Sequence, residues 1–199
     1  MLWCVITSPV FYAGEDVFIS RLVRHGVDII HLRKPEACAS DCARLLDRLT
    51  DQERSRITIH DFFELAGPYG LRGIHLNSRR GTVPPGYTGH VSRSCHSLDQ
   101  VKRYKEECSY VFLSPVFDSI SKQGYSAAFS PDTLFRASAE GIIDSKVFAL
   151  GGVTPDKAGL LSTLGFGGAV MLGCVDAIAR MPEAEQDERL EEIRIKIKG

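Results

Sequence analysis

The chain has 199 residues, 44% hydrophobic and 25% charged, with a formal net charge of −1. This suits one domain over 1–199 with a sizeable core, and it lacks the basic footprint of a nucleic-acid binder. No apolar run approaches the ~18 residues of a membrane span, and the six cysteines form no C-x-x-C pair, so they read as packing residues of a reducing, cytoplasmic compartment.

Short β-branched runs alternate with amphipathic ones, the pattern of repeated β-α units. The opening M-L-W-C-V-I-T reads as a strand over 2–6, not as a signal peptide. A helix follows over 17–24 and stops at Gly26. Next come a strand over 27–32, a helix over 39–49, a strand over 57–60 and a short helix over 62–66. The fourth strand covers 73–76, and its return, with Gly81, Pro84, Pro85 and Gly86, reads as irregular. A strand over 91–95 precedes a helix over 98–106. The sixth strand, 110–113, leads into a long polar loop over 114–130 and a helix over 131–139. The seventh strand is 147–150. Thr154-Pro155-Asp156 then opens a helix, with Thr154 as its cap. The eighth strand is 168–171, and the charged run 177–198 is helical with a break at Pro182. Eight strands alternating with helices predict a closed (β/α)8 TIM barrel of the α/β class. The rival open sheet would want G-x-G-x-x-G after the first strand, where the chain reads S-P-V-F-Y-A-G.

In such barrels the active site lies at the C-terminal ends of the strands. Those ends carry His31 and Arg33, His60 and Asp61, His75 and Asn77, then Ser94, His96 and Ser97. Histidine titrates near neutral pH and suits acid–base work. Arg33 shares a face with His31, and a guanidinium there suits an anionic substrate. After the sixth strand, Ser119, Ser121 and Lys122 combine hydroxyls with an ammonium, a set matched to phosphate oxygens. Gly151-Gly152 and Gly173-Cys174 follow the last two strands. Glycine there permits close backbone approach, and a helix starting at Gly173 would offer N–H donors to an anion. A phosphorylated small molecule is therefore the expected partner.

The segments H-L-R (31–33), I-H-D (59–61), G-I-H-L (73–76), S-R-S-C-H-S-L (92–98), S-P-V-F-D-S-I-S-K-Q-G (114–124) and A-L-G-G-V-T-P-D (149–156) occur in order along nearly the whole chain. As a set they resemble the thiamine phosphate synthase/TenI family. The resemblance implies a barrel enzyme of thiamine biosynthesis acting on thiazole phosphate. In the synthases, hydroxymethylpyrimidine diphosphate loses diphosphate and the thiazole nitrogen traps the resulting carbocation, with Mg²⁺ holding the leaving group. TenI-type relatives instead aromatise a thiazole tautomer without metal. Carried over by position, the phosphate cup is Ser119, Ser121, Lys122, Gly151, Gly152, Leu172 and Gly173. Asp61 is the first metal aspartate, Arg33 and Lys34 bind diphosphate, Lys122 with Ser119 and Ser121 stabilises the departing group in the synthase reaction, and Ser94 is the serine of the fifth-strand motif. The family's Q-x-R-x-K reads H-L-R-K-P here, so His31 replaces glutamine and Pro35 replaces lysine. His60 stands where asparagine is usual, and the second metal aspartate falls on Arg80. On the tautomerase side, His31, His60 or His96 would move the proton, but Pro115 occupies the position of the histidine of a characterised tautomerase. Synthase and tautomerase both stay open, as does a non-catalytic binder of thiazole or thiamine phosphate. Mg²⁺ at Asp61 is an expectation opposed by Arg80; no organic cofactor is expected, and a homodimer is compatible with the fold.

Overall fold

The structure is a computed structural model that describes residues 1–118 and 128–199. Strands β1 (Leu2–Ile6), β2 (Ile29–Leu32), β3 (Ile57–Ile59), β4 (Gly73–Leu76), β5 (His90–Cys95), β6 (Tyr110–Leu113), β7 (Val147–Ala149) and β8 (Gly168–Met171) pair in parallel, each with the next. β8 returns to β1 in the register Leu2↔Gly168 and closes the barrel. The (β/α)8 expectation holds and the open sheet does not. Ser119, Ser121 and Lys122 lie outside the described residues.

Helix ends differ from expectation where local chemistry overrides periodicity. α1 (Glu15–Arg24) starts two residues earlier than expected. Gly14, at φ 80, turns the chain in the left-handed region, and Glu15 and Asp16 then meet the positive end of the helix dipole. The helix expected over 39–49 is shorter, and a second helix follows beyond it. α2 (Ala39–Leu46) ends early, and Thr50 starts α3 (Asp51–Arg54) through a reciprocal capping box with Glu53. α4 (Leu98–Tyr104) is capped by Ser97 and runs into a 3₁₀ turn. Ser130 caps α5 (Pro131–Ala139). Thr154 precedes a 3₁₀ turn and then α6 (Ala158–Thr163), and its side chain makes no cap bond. Pro182 separates α7 (Gly173–Ala179) from α8 (Glu183–Lys198), which packs against β1, α6 and α7. No α-helix follows β3 or β4. A 3₁₀ turn over Phe63–Leu65 and the glycine- and proline-rich stretch 77–89 stand in their places. Among the described residues, no helix is long and apolar enough to cross a membrane.

Strand alternation divides the core in two. Trp3, Val5, Ile30, Leu32, Ile57, Ile59, Ile74 and Leu76 belong to the large outer cluster with the helices. Cys4, Ile6, Ile29, Tyr110, Phe112, Phe148 and Val170 fill the barrel interior. The interior is apolar toward β6, β7, β8 and β1. Toward β2 through β5 it is polar, with His31, Thr58, His75 and Ser92 all buried. All six cysteines are free thiols, and four are buried, which fits their reading as packing residues.

Lys34 follows the same alternation. It leaves β2 on the face opposite Arg33 and is 2% exposed. Its Nζ lies 2.6 and 2.8 Å from the two carboxylate oxygens of Glu15, 2.8 Å from the Ser8 carbonyl and 3.0 Å from that of Val10. Burial pushes the Glu15 carboxyl up and the Lys34 ammonium down, and their mutual contact opposes both shifts. Lys34 therefore ties the β1–α1 loop to β2, which corrects its expected role as a diphosphate ligand: its ammonium is already fully engaged elsewhere. Lys34→Met should strand the Glu15 charge and lower the unfolding free energy by about 3–5 kcal/mol. Urea denaturation should also show that adding Glu15→Leu recovers most of the loss.

Candidate active site

The inward side chains of β2 through β6 meet in one hydrogen-bonded network. His31 Nε2 lies 2.9 Å from the Tyr110 hydroxyl, and His31 Nδ1 lies 2.8 Å from His60 Nε2. His75 lies 2.9 Å from the Ser92 hydroxyl through Nδ1 and 2.8 Å from the Ser94 hydroxyl through Nε2. The His60 and His75 rings stack at 4.2 Å, with His31 edge-on at 5.0 Å to each. Burial holds all three imidazoles neutral. It drives His31 and His60 well below the ordinary histidine value and His75 to about 3, helped by the Arg93 charge near His75. The same burial raises the Tyr110 phenol.

One ring nitrogen from each of these three histidines lies within 4.8 Å of the other two, a spacing that metal ligands use. Both nitrogens of His31, both of His75 and Nε2 of His60 are already hydrogen-bonded, so the cluster satisfies itself. One proton is shared between His31 and His60. When His31 accepts from Tyr110, it donates to His60; when it donates to Tyr110, His60 donates to it.

Above this floor opens a cavity of about 390 Å³ at the C-terminal end of the barrel. Arg33, His60, Ser94 and His96 line it, so four of the expected residues do come together. His31 does not reach it. That histidine is completely buried and can act on a ligand only through His60. The exposed His96 donates from Nδ1 to the Ser114 carbonyl at 2.9 Å, which leaves Nε2 as the acceptor in the neutral ring. Asn77, Arg79, Arg93, Gln100 and Tyr104 also line the cavity. Arg93 was hidden from the sequence reading because it sits on the outward register of β5. It enters by lying over the Tyr104 ring at 4.3 Å while donating to the Gly81 carbonyl at 2.8 Å.

Asp61 does not line this cavity, and its carboxylate is already paired with Arg79, which does. Arg79 holds both its oxygens, at 3.3 and 2.8 Å. Mg²⁺ wants one or two carboxylates in near-octahedral array, and no carboxylate lines the cavity. The residues present do not fit Mg²⁺. Arg80, at the position of the missing aspartate, lines a neighbouring cavity with Glu64, while Arg79 takes the carboxylate.

Across the mouth, Leu150 lines the cavity and Leu172 packs on the apolar half of the interior. Gly151 and Gly152 both have positive φ, 91° and 61°. A Cβ at Gly151 would lie 2.7 Å from Pro115, and one at Gly152 would lie 2.3 Å from the Asp118 carbonyl oxygen. The glycine pair thus lets the β7 loop press against residues 115–118, and the N–H of Phe117 bonds the Gly151 carbonyl at 3.0 Å. The N–H groups of Gly151, Gly152 and Gly173 find no acceptor among the described residues.

A parallel barrel whose polar residues converge at the C-terminal strand ends, beside glycine loops after β7 and β8, defines a class: a (β/α)8 enzyme built around a small anionic ligand. The particular family follows from comparison. Residues 4–175 match the family model described as Thiamine monophosphate synthase, and the chain belongs to that family. It is 27% identical to a putative thiamine-phosphate synthase of Geobacter sulfurreducens, over 93% of this chain and 90% of that one. It is 26% identical to a thiamine-phosphate synthase of Salinibacter ruber, over 81% and 74%. The crystal structure of thiamine phosphate pyrophosphorylase from Bacteroides thetaiotaomicron superposes with a TM-score of 0.87 at 38% identity, covering 98% of this chain and 97% of that one.

The neutral floor has a pH signature. An unfolded histidine takes up a proton near pH 6.5 and the buried ones do not, so below that pH the unfolded state binds more protons. Stability is full above pH 6.5 and is lost as pH falls. Between pH 7.5 and 5, His75 alone should cost about 2 kcal/mol, measured as a falling urea midpoint. Tyr110→Phe should lower stability at pH 7.5 by about 1–3 kcal/mol by removing the partner of His31 Nε2.

Proposed function

We propose that this chain joins a hydroxymethylpyrimidine diphosphate to a thiazole phosphate, releasing diphosphate and forming thiamine phosphate. Family membership supports the reading, and one observation carries it: the cavity at the C-terminal end of the barrel is lined by Arg33, Arg79 and Arg93 and reaches Leu150, the residue that leads into the Gly151-Gly152 turn after β7. Two anionic substrates need both a cationic wall and a second set of donors, which the glycine turns after β7 and β8 are suited to supply. Arg33 and its neighbours face the diphosphate, and the N–H groups of Gly151, Gly152 and Gly173 receive the thiazole phosphate with Ser119, Ser121 and Lys122. The C–O bond to diphosphate breaks, and the thiazole nitrogen supplies the electron pair for the new C–N bond. Guanidinium groups stabilise the charge that gathers on the departing oxygens. The neutral imidazole floor supplies no competing anion near the carbocation.

A second reading rests on His60. Its Nε2 is anchored on His31, it lines the cavity, and its ring makes no other hydrogen bond among the described residues. A neutral imidazole so placed is suited to move the proton that aromatises a thiazole tautomer. His31 is then a positioning residue.

The purified chain, given both substrates, should form thiamine phosphate, detected by oxidation to fluorescent thiochrome. No product from fresh substrates would sink the synthase reading. The thiazole tautomer alone, followed by its ultraviolet spectrum, separates the second reading. Tautomerisation lost in His60→Gln would establish it, and wild-type rates in that variant would end it. Binding of thiazole phosphate with turnover in neither assay would mark a binder.

A further inference from the structure

The cavity is ringed by polar and cationic residues, and none of the acidic groups that a divalent metal needs lines it. We propose that Arg33, Arg79 and Arg93 bind the diphosphate group directly, without a metal ion. The proposal rests on the synthase reading only for its choice of ligand. Three guanidinium groups line the cavity and no carboxylate does. Asp61 lies beside them with both oxygens on Arg79, so it adds no unpaired negative charge. Arg33 makes no side-chain hydrogen bond or ion pair among the described residues and is half-buried, leaving its full fork of donors for a ligand. Arg93 is held in place by the Tyr104 ring and the Gly81 carbonyl rather than by an acid, so its charge is also uncompensated.

This surplus repels a divalent cation and attracts a polyanion. Planar guanidinium groups match phosphate oxygens two at a time, supplying the charge neutralisation that a metal otherwise provides. The Asp61–Arg79 pair also gives the arrangement a sign of its own. In a metal site, removing the Asp61 charge destroys binding. In a guanidinium site, it releases Arg79 toward the ligand.

The test is calorimetric titration of the full chain with inorganic pyrophosphate, once with EDTA and once with excess Mg²⁺. Binding in EDTA should be as tight as in Mg²⁺, within about threefold, or tighter because Mg²⁺ sequesters free pyrophosphate. Arg33→Gln, Arg79→Gln and Arg93→Gln should each weaken it about tenfold or more, with unchanged circular dichroism. Asp61→Asn should bind at least as tightly as the wild type, a result that needs none of the arginine variants to fold. Binding that requires Mg²⁺, loss of binding in Asp61→Asn, or wild-type affinity in all three folded arginine variants would each overturn the proposal. Metal-free binding without thiamine phosphate formation would leave the proposal standing and sink the synthase reading. Synthesis that strictly needs Mg²⁺, with no metal-free pyrophosphate binding, would do the reverse.

Discussion

Inside a closed parallel barrel, inward side chains can meet only one another. Here that constraint falls on three histidines, a tyrosine, a threonine and two serines, and their pairing shapes what lies above. His31 is bonded on both sides, to Tyr110 and to His60, so its ring has one orientation. His75 is bonded on both sides to Ser92 and Ser94. Charging these rings would place a cation in a buried site, beside Phe112 in the case of His31 and His75, at a cost burial makes prohibitive. The floor of the cavity is thus rigid, polar and uncharged.

Every formal charge near the site has a definite placement relative to that floor. Lys34 turns away and spends its charge on Glu15 beneath the β1–α1 loop. Asp61 is spent on Arg79. What remains facing the cavity is positive, from Arg33 and Arg93. The chemistry of this wall is therefore set by which charges are cancelled elsewhere, as much as by which residues are present.

Much of this was legible in the chain. The eight strands follow from β-branched runs, and the irregular return after β4 follows from its glycines and prolines. The convergence of Arg33, His60, Ser94 and His96 follows from their places at strand ends. Period-two alternation even holds the fate of Lys34, since the neighbour of an inward-facing Arg33 must face outward. What escaped depends on pairings across the fold. Glu15 is distant from Lys34 in the chain and carries no mark of being its partner. Arg79 sits in an irregular loop where no period predicts direction, so its capture of Asp61 was invisible and Arg80 looked the more important. The depth of His31 likewise depends on strand stagger, which residue order alone does not encode.

One amide links this irregular loop to the barrel floor. Asn77 Oδ1 accepts from the backbone N–H of Arg79 at 2.9 Å and of Arg80 at 3.2 Å, while its Nδ2 donates to the His60 carbonyl at 2.8 Å. The direction of Arg79 is thereby fixed by a four-residue turn hung on the end of β4, not by the long stretch beyond it. Residues after Arg80 take no part in these contacts, so the turn is closed before the long stretch begins. Asn77 works as a clamp does at a cable joint, tying the turn that carries Arg79 to the chain at the end of β3.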